Sequence, residues 1–284
     1  MDRAAPFQMD DMVATLNRVS DGLWNGASGK YLTNGWQRGG QGASVQNDDF
    51  ELVGEKIPDH CLANRSGAGG YKNTSHGASL HNLGVKIVAV GRNYAEHARE
   101  LGNEIPEEPV LFMKPESALV WDNHPFLYPK FSQDVHFEAE IVLRICSQAK
   151  NVSREEAKHT YDALTVGIDF TARDLQSKCK AKGLPWEISK AFDGSAPIGK
   201  FIPVPEREPI EFSLTQNGEA RQRGSTADML HGFDALIHHI TRFFTLEPGD
   251  LIFTGTPSGV GPVQPGDLLE AFIGDQKLLA CVIA

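Results

Sequence analysis

The spacing of apolar positions changes character at residue 83. Residues 1–82 are dense in Gly, Asn, Ser and Asp, as in GLWNGASGKYLTNGWQRGGQGAS and ANRSGAGGYKNTSHGAS, and only 11–19 carry a short helix-like apolar spacing. Turn formers at this density bury little surface, so 1–82 is expected to be an irregular extension and 83–284 the folded domain. The histidines of the first segment, His60, His76 and His81, fit no ligand spacing and read as solvated polar residues.

Beyond residue 83 the pattern becomes regular. KIVAVG reads as a short buried strand, and 94–101 as a helix ended by Gly102. PVLFMKP is a second strand closed by proline, and HFEAEIVLRI alternates in the manner of one continuous strand. ALTVGIDF is a buried strand, after which Thr171 and Asp174 form the T-x-x-D pattern of a helix start. FSLTQNGEARQRG predicts a hairpin turning at Asn217-Gly218, and 226–245 a long amphipathic helix. Pro-Gly-Asp turns at 248–250 and 265–267 each precede an apolar strand. Many strands and few helices predict an α+β domain built around a rolled sheet.

Composition narrows the partners. With 284 residues, a net charge of −10 and no long basic run, the chain lacks the positive footprint of a nucleic-acid or anionic-membrane surface. An anionic substrate is still compatible, because a local cluster of cations and a metal can reverse the field within one cleft. Cys61, Cys146, Cys179 and Cys281 lie far apart without a C-x-x-C pair, and read as free thiols in a reducing compartment. The start has no apolar signal-peptide region, and no apolar run reaches the roughly 18–20 residues of a membrane span, so a cytoplasmic protein is expected.

The candidate chemistry centres on acids. Glu138 and Glu140 are two apart on one strand, so their side chains leave on the same face. On a buried strand two like charges need a cation, and all-oxygen ligation suits Mg²⁺, Mn²⁺ or Ca²⁺. Asp169 at the end of ALTVGID is a third candidate ligand; the same spacing also describes an exposed acidic face. Arg173 and Gln176 lie four and seven residues beyond Asp169 on one helix face, where Arg173 could clamp a carboxylate or form a surface ion pair. His97 and Glu100, three apart on a helix, suit a general base oriented by a carboxylate, a pattern also common by chance. Lys114 and Lys190 adjoin apolar runs, where lysines snorkel to solvent unless a site uses them. The Gly/Thr/Pro loop 254–262 either lets backbone N–H groups approach a ligand or makes a structural turn.

Taken in order, GRNYAEHARELG, EPVLFMKPESAL, HFEAE, GIDFTARDLQ, KGLPWEISKAFDGSAPIG and LIFTGTPSGVGP resemble the fumarylacetoacetate hydrolase family, over about 200 residues to the C-terminus. The nearest resemblance is to its acylpyruvase, oxaloacetate decarboxylase and fumarylpyruvate hydrolase branch; residues 1–82 resemble nothing in that compact branch. The resemblance implies a mixed β-sandwich roll with a lid helix, usually a homodimer, and Mg²⁺ or Mn²⁺ held by Glu138, Glu140 and Asp169. It also implies a water-activating dyad of His97 and Glu100, with Lys190 as a second cation and Arg92, Lys114, Arg173, Gln176 and Thr256 around a small 2-oxo acid. The implied activity is hydrolysis of a C–C bond in acylpyruvates, with oxaloacetate decarboxylation through the same pyruvate enolate. The alternative is isomerisation or tautomerisation of 2-oxo dicarboxylates, such as those of aromatic catabolism.

Overall fold

The computed structural model describes residues 84–284, apart from 101, 103, 122, 207 and 208. The expected extension 1–82, its helix at 11–19 and its histidines lie outside the described residues.

The chain enters through β1 (Ile87–Gly91), α1 (Ala95–Glu100), β2 (Val110–Lys114) and β3 (Leu119–Val120). There follow β4 (Val135–Phe137), β5 (Ala139–Ile145), α2 (Arg154–Ala157), β6 (Tyr161–Ile168) and β7 (Thr171–Ala172). Then come α3 (Arg173–Lys182), α4 (Glu187–Lys190), β8 (Ala196–Pro197), β9 (Ile202–Pro203), β10 (Glu211–Gln216) and β11 (Glu219–Ser225). The described part closes with α5 (Phe233–Phe243), β12 (Leu251–Phe253), β13 (Gly261–Pro262), β14 (Leu268–Ile273) and β15 (Gln276–Val282).

A six-stranded sheet, ordered β2-β1-β12-β5-β6-β9, is the spine. Only β1 and β12 run parallel in it. β5 lies between β12 and β6, and its residues are buried on both faces except Arg144, as expected for an interior strand with a near-continuous apolar run. A four-stranded sheet, β11-β10-β14-β15, carries the opposite pattern: β14 alternates buried and half-buried residues and so covers the core with one face. Side chains from both sheets, such as Ile141, Leu143, Leu214, Leu269 and Leu279, meet in one apolar core. The amphipathic helix α5 adds Phe233, Leu236, Ile237 and Ile240, the i, i+3, i+4, i+7 stripe. This is the mixed α+β architecture that the strand pattern predicts. Among the described residues no helix is long and apolar enough to cross a membrane.

Several elements agree with their sequence signals. Asn217 and Gly218 both have positive φ (55° and 82°), as a two-residue hairpin turn between β10 and β11 requires. Gly249 and Gly266 turn the chain into β12 and β14.

Four expectations change. The strand 136–145 is broken at Glu138, with β4 pairing β7 and β13, and β5 joining the six-stranded sheet. The helix expected over 226–245 begins only at Phe233, because the preceding backbone is engaged elsewhere. Met229 bridges Tyr94, Leu230 N–H donates to the Asn93 carbonyl, and His231 N–H donates to Asn93 Oδ1. Thr171 does not cap α3: it belongs to β7, and its hydroxyl donates to the Asp169 carbonyl, while Asp174 accepts from Ser132 Oγ. Finally, Cys179 and Cys281 are free buried thiols, but Cys146 is disulfide-bonded, since sequence separation says nothing about proximity in space.

Candidate metal centre and active site

The break at Glu138 is where the site begins. Glu138 lies between β4 and β5, and its carbonyl accepts the N–H of Asp169, which leaves the end of β6 (2.8 Å). Glu140 follows on β5, paired in register with Gly167. The three carboxylates converge: each offers an oxygen such that all lie within 4.8 Å of one another, at 5%, 2% and 0% exposure for Glu138, Glu140 and Asp169.

Three cations surround them. Lys190, the last residue of α4, puts its ammonium 2.8 Å from Glu138 Oε2 and 2.6 Å from Asp169 Oδ2. Lys114, at the end of β2, lies 2.8 Å from Asp169 Oδ1 and also donates to Ser195 and to the Lys190 carbonyl. Arg173, the first residue of α3, donates from Nη2 to Glu138 Oε1 and from Nη1 to Gln176 Oε1. The Lys190 ammonium also lies 5.3 Å from the centroid of the Phe112 ring. Neither lysine snorkels to solvent: both side chains are buried because Asp169, remote in sequence, pairs with each.

The electrostatics separate the two glutamates. Burial disfavours the charge of Glu138, but Lys190, Arg173 and His97 outweigh it and hold its carboxyl well below the usual range. Burial and the neighbouring Asp169 and Glu138 push Glu140 well above its usual range, against the Gly255 N–H that donates to Oε2 at 2.7 Å. Burial lowers Lys114; in Lys190 the two carboxylates outweigh burial and hold the ammonium above its ordinary value.

A divalent ion fits this donor set. Asp169 Oδ1 is fully buried and faces the Lys114 ammonium at 2.8 Å, and a carboxylate oxygen beside one ammonium retains acceptor capacity. The raised Glu140 is what a further positive charge would reverse, and oxygen-only donors favour a hard cation.

The dyad forms as its spacing suggests. His97 on α1 is buried, and its Nδ1 lies 3.1 Å from Glu100 Oε2. Glu100 also accepts from Gly259 N–H of the 254–262 loop, at 3.1 and 3.3 Å. The Thr256 hydroxyl is committed: it donates to the Ala139 carbonyl (2.8 Å) and accepts from Gln222. Arg92 is not brought onto the cluster; it is half-buried in the left-handed region (φ 60°) and makes no hydrogen bond or ion pair with it among the described residues.

Residues that the spacing did not single out complete the frame. Buried Asn93 donates to the carbonyls of Thr254 and His231, fastening the start of α1 to the loop. Ser195 holds Lys114, and Gln222 reaches in from β11. A lone Asn, Ser or Gln in a polar stretch carries no local signal of such a task; only the asparagine's place ahead of a helix hints at it.

Gly255 shows how closely the loop approaches. Its φ is +99°, and a Cβ there would lie 2.7 Å from Asn93 Cβ. Gly255→Ala should therefore shift the loop, detach the N–H from Glu140 and lower the thermal midpoint by several degrees, about 1–3 kcal/mol. Differential scanning calorimetry checks this; an unchanged midpoint would show that the loop yields freely.

Comparison with known proteins gives the arrangement its context. Residues 86–283 match the model of the fumarylacetoacetate hydrolase C-terminal domain. The chain belongs to the fumarylacetoacetate hydrolase family. It is 43% identical to oxaloacetate tautomerase YcgM of Escherichia coli over 211 residues, 73% of this chain and 96% of the relative. It is 44% identical to the mitochondrial oxaloacetate decarboxylase of Dictyostelium discoideum over 194 residues, 67% and 89% of the two chains. Among solved structures, fumarylpyruvate hydrolase from Pseudomonas aeruginosa in complex with Mn²⁺ and pyruvate superposes with a TM-score of 0.66 at 38% identity, covering 70% of this chain and 90% of that one. As a family member the chain is an enzyme, and its rolled α+β domain is that of the fumarylacetoacetate hydrolases.

Proposed function

We propose that this enzyme binds Mg²⁺ or Mn²⁺ at Glu138, Glu140 and Asp169 and interconverts the enol and keto forms of a small 2-oxo dicarboxylate, oxaloacetate being the best-supported substrate. The charge balance of the buried cluster carries this reading. Three carboxylates face three cations, Lys114, Lys190 and Arg173, so a divalent ion leaves a local surplus of about two positive charges, matching a dianion. The likeness to an oxaloacetate tautomerase along nearly its whole length supports the same substrate.

A divalent ion at these carboxylates supplies Lewis-acid polarisation of the 2-oxo oxygen. The chain's own groups do the proton work. Glu100 receives the Nδ1–H of His97, which fixes the tautomer and leaves Nε2 as the base. His97 takes a proton from C3 of the keto form, the electron pair moves to the 2-oxo oxygen, and the Lys190 ammonium stabilises the charge there. Return of that proton from the His97 imidazolium to the oxygen gives the enol and frees the base. Burial excludes bulk water, so each of these charges acts at low dielectric.

Hydrolysis of acylpyruvates is the second reading, favoured by the fumarylpyruvate hydrolase likeness. In it His97 deprotonates a water that attacks the distal carbonyl. The C–C bond then breaks with its electron pair on C3, giving the pyruvate enolate, which His97 reprotonates.

A substrate panel decides between them. Protein stripped with EDTA and reloaded with Mn²⁺ or Mg²⁺ is given oxaloacetate, acetylpyruvate and fumarylpyruvate. Metal-dependent tautomerisation of oxaloacetate should be the fastest reaction. Full activity in the stripped protein rules out the metal role, and faster acylpyruvate cleavage installs the second reading.

A further inference from the structure

Between the two glutamates stands Ala139, whose side chain can do nothing chemical, yet both of its backbone polar groups have side-chain partners. Its N–H donates to Gln222 Oε1 at 2.8 Å, and its carbonyl accepts from the Thr256 hydroxyl at 2.8 Å. Gln222 Nε2 in turn donates to Thr256 Oγ1 at 2.8 Å and to the Pro257 carbonyl at 2.9 Å. The bonds close a ring: amide oxygen to Ala139 N–H, Ala139 carbonyl to hydroxyl, hydroxyl to amide nitrogen. Gln222 is 1% exposed, and each of its amide groups is satisfied.

The ring matters because of where the sheet breaks. β4 ends at Phe137 and β5 begins at Ala139, in different sheets, so the ladder that holds Glu140 reaches Glu138 only through its carbonyl's bond to the Asp169 N–H. In an unbroken strand the alternation of side chains would set the angle between Glu138 and Glu140. Here Gln222 grips the intervening residue from β11, in the four-stranded sheet, and ties it to the loop whose Gly255 N–H meets Glu140.

We infer that Gln222 is a positioning residue of the metal centre, holding the backbone between Glu138 and Glu140 so that both carboxylates reach one ion. The inference rests on the proposed metal site. Partners that orient ligands in this way change metal affinity by about 10–100-fold when removed. An unpaired Ala139 N–H in a buried position is also costly, which gives the ring a structural share.

The test separates these shares. Gln222→Met keeps length and apolar bulk but removes every bond of the amide. Mn²⁺ binding to the stripped protein is measured by isothermal titration calorimetry, beside the thermal midpoint. Leu214→Ala is the control: Leu214 pairs with Gln222 across β10 and β11, is fully buried, and its loss loosens the same sheet without removing a hydrogen bond to Ala139. Gln222→Met should weaken Mn²⁺ binding about 10-fold or more, whereas Leu214→Ala lowers the midpoint and leaves affinity near that of the unmodified protein. Unchanged affinity in Gln222→Met, or an equal loss in Leu214→Ala, overturns the inference. If the Met variant does not fold, Gln222→Asn, one methylene too short for the ring, replaces it under the same criterion. Failure of the unmodified protein to bind Mn²⁺ overturns the metal reading, and the positioning role with it.

Discussion

Asp169→Asn should abolish Mn²⁺ uptake and lower oxaloacetate turnover by about three orders of magnitude, the rate equivalent of several kcal/mol of lost charge stabilisation. Asp169 is the junction of the cluster, with Lys114 on one oxygen and Lys190 on the other, at 2.8 and 2.6 Å. The amide keeps the volume and removes the charge, leaving two buried ammonium groups with a poorer partner. Breaking a buried pair costs about 3–5 kcal/mol, so the metal-free variant should also unfold at lower urea than the metal-free parent. That second measurement distinguishes the variant from simple chelation, which leaves every lysine paired. Near-parental turnover in Asp169→Asn would sink the proposed site.

His97→Gln should show a different profile. Removing a general base costs about 10²–10⁴-fold in kcat, while the carboxylates that hold the ion stay in place, so Mn²⁺ affinity persists. Glu100→Gln should lose less, because the imidazole remains and only its orientation and the bond to Gly259 N–H are weakened. Stopped-flow absorbance of the enol with titration calorimetry checks both variants. If His97→Gln retains parental kcat, the proton passes through another group.

Much of this molecule was legible in the sequence where local physics governs. Alternation located β5, glycine and asparagine marked the hairpin of β10 and β11 at 217–218, Pro-Gly-Asp turns marked the starts of β12 and β14, and the apolar stripe located the core of α5. The two glutamates, Asp169 and the His97–Glu100 pair were visible as spacings, and the structure brings the three acids to one place. Spacing was silent where the cause is long-range. Nothing near Lys114 or Lys190 tells that Asp169, respectively 55 and 21 residues away by sequence number, draws each ammonium inside. Nothing in EARQRG marks Gln222 as the residue that turns inward, since its partners lie on β5 and in the loop after β12. The start of α5 was misplaced for the same reason: 229–231 has the apolar content of a helix but is claimed by Asn93 and Tyr94 from the other end of the domain.

The seam at Glu138 has a bearing on how the protein matures. One acid hangs where two sheets meet, the next belongs wholly to the spine, and the third waits at the exit of β6. All three flank the β5–β6 pairing, whereas Lys114, Arg173 and Lys190 come from β2, α3 and α4, so that pairing alone leaves the carboxylates without their cations. On the proposed metal reading, the charge balance that admits an ion is complete only once those elements have docked.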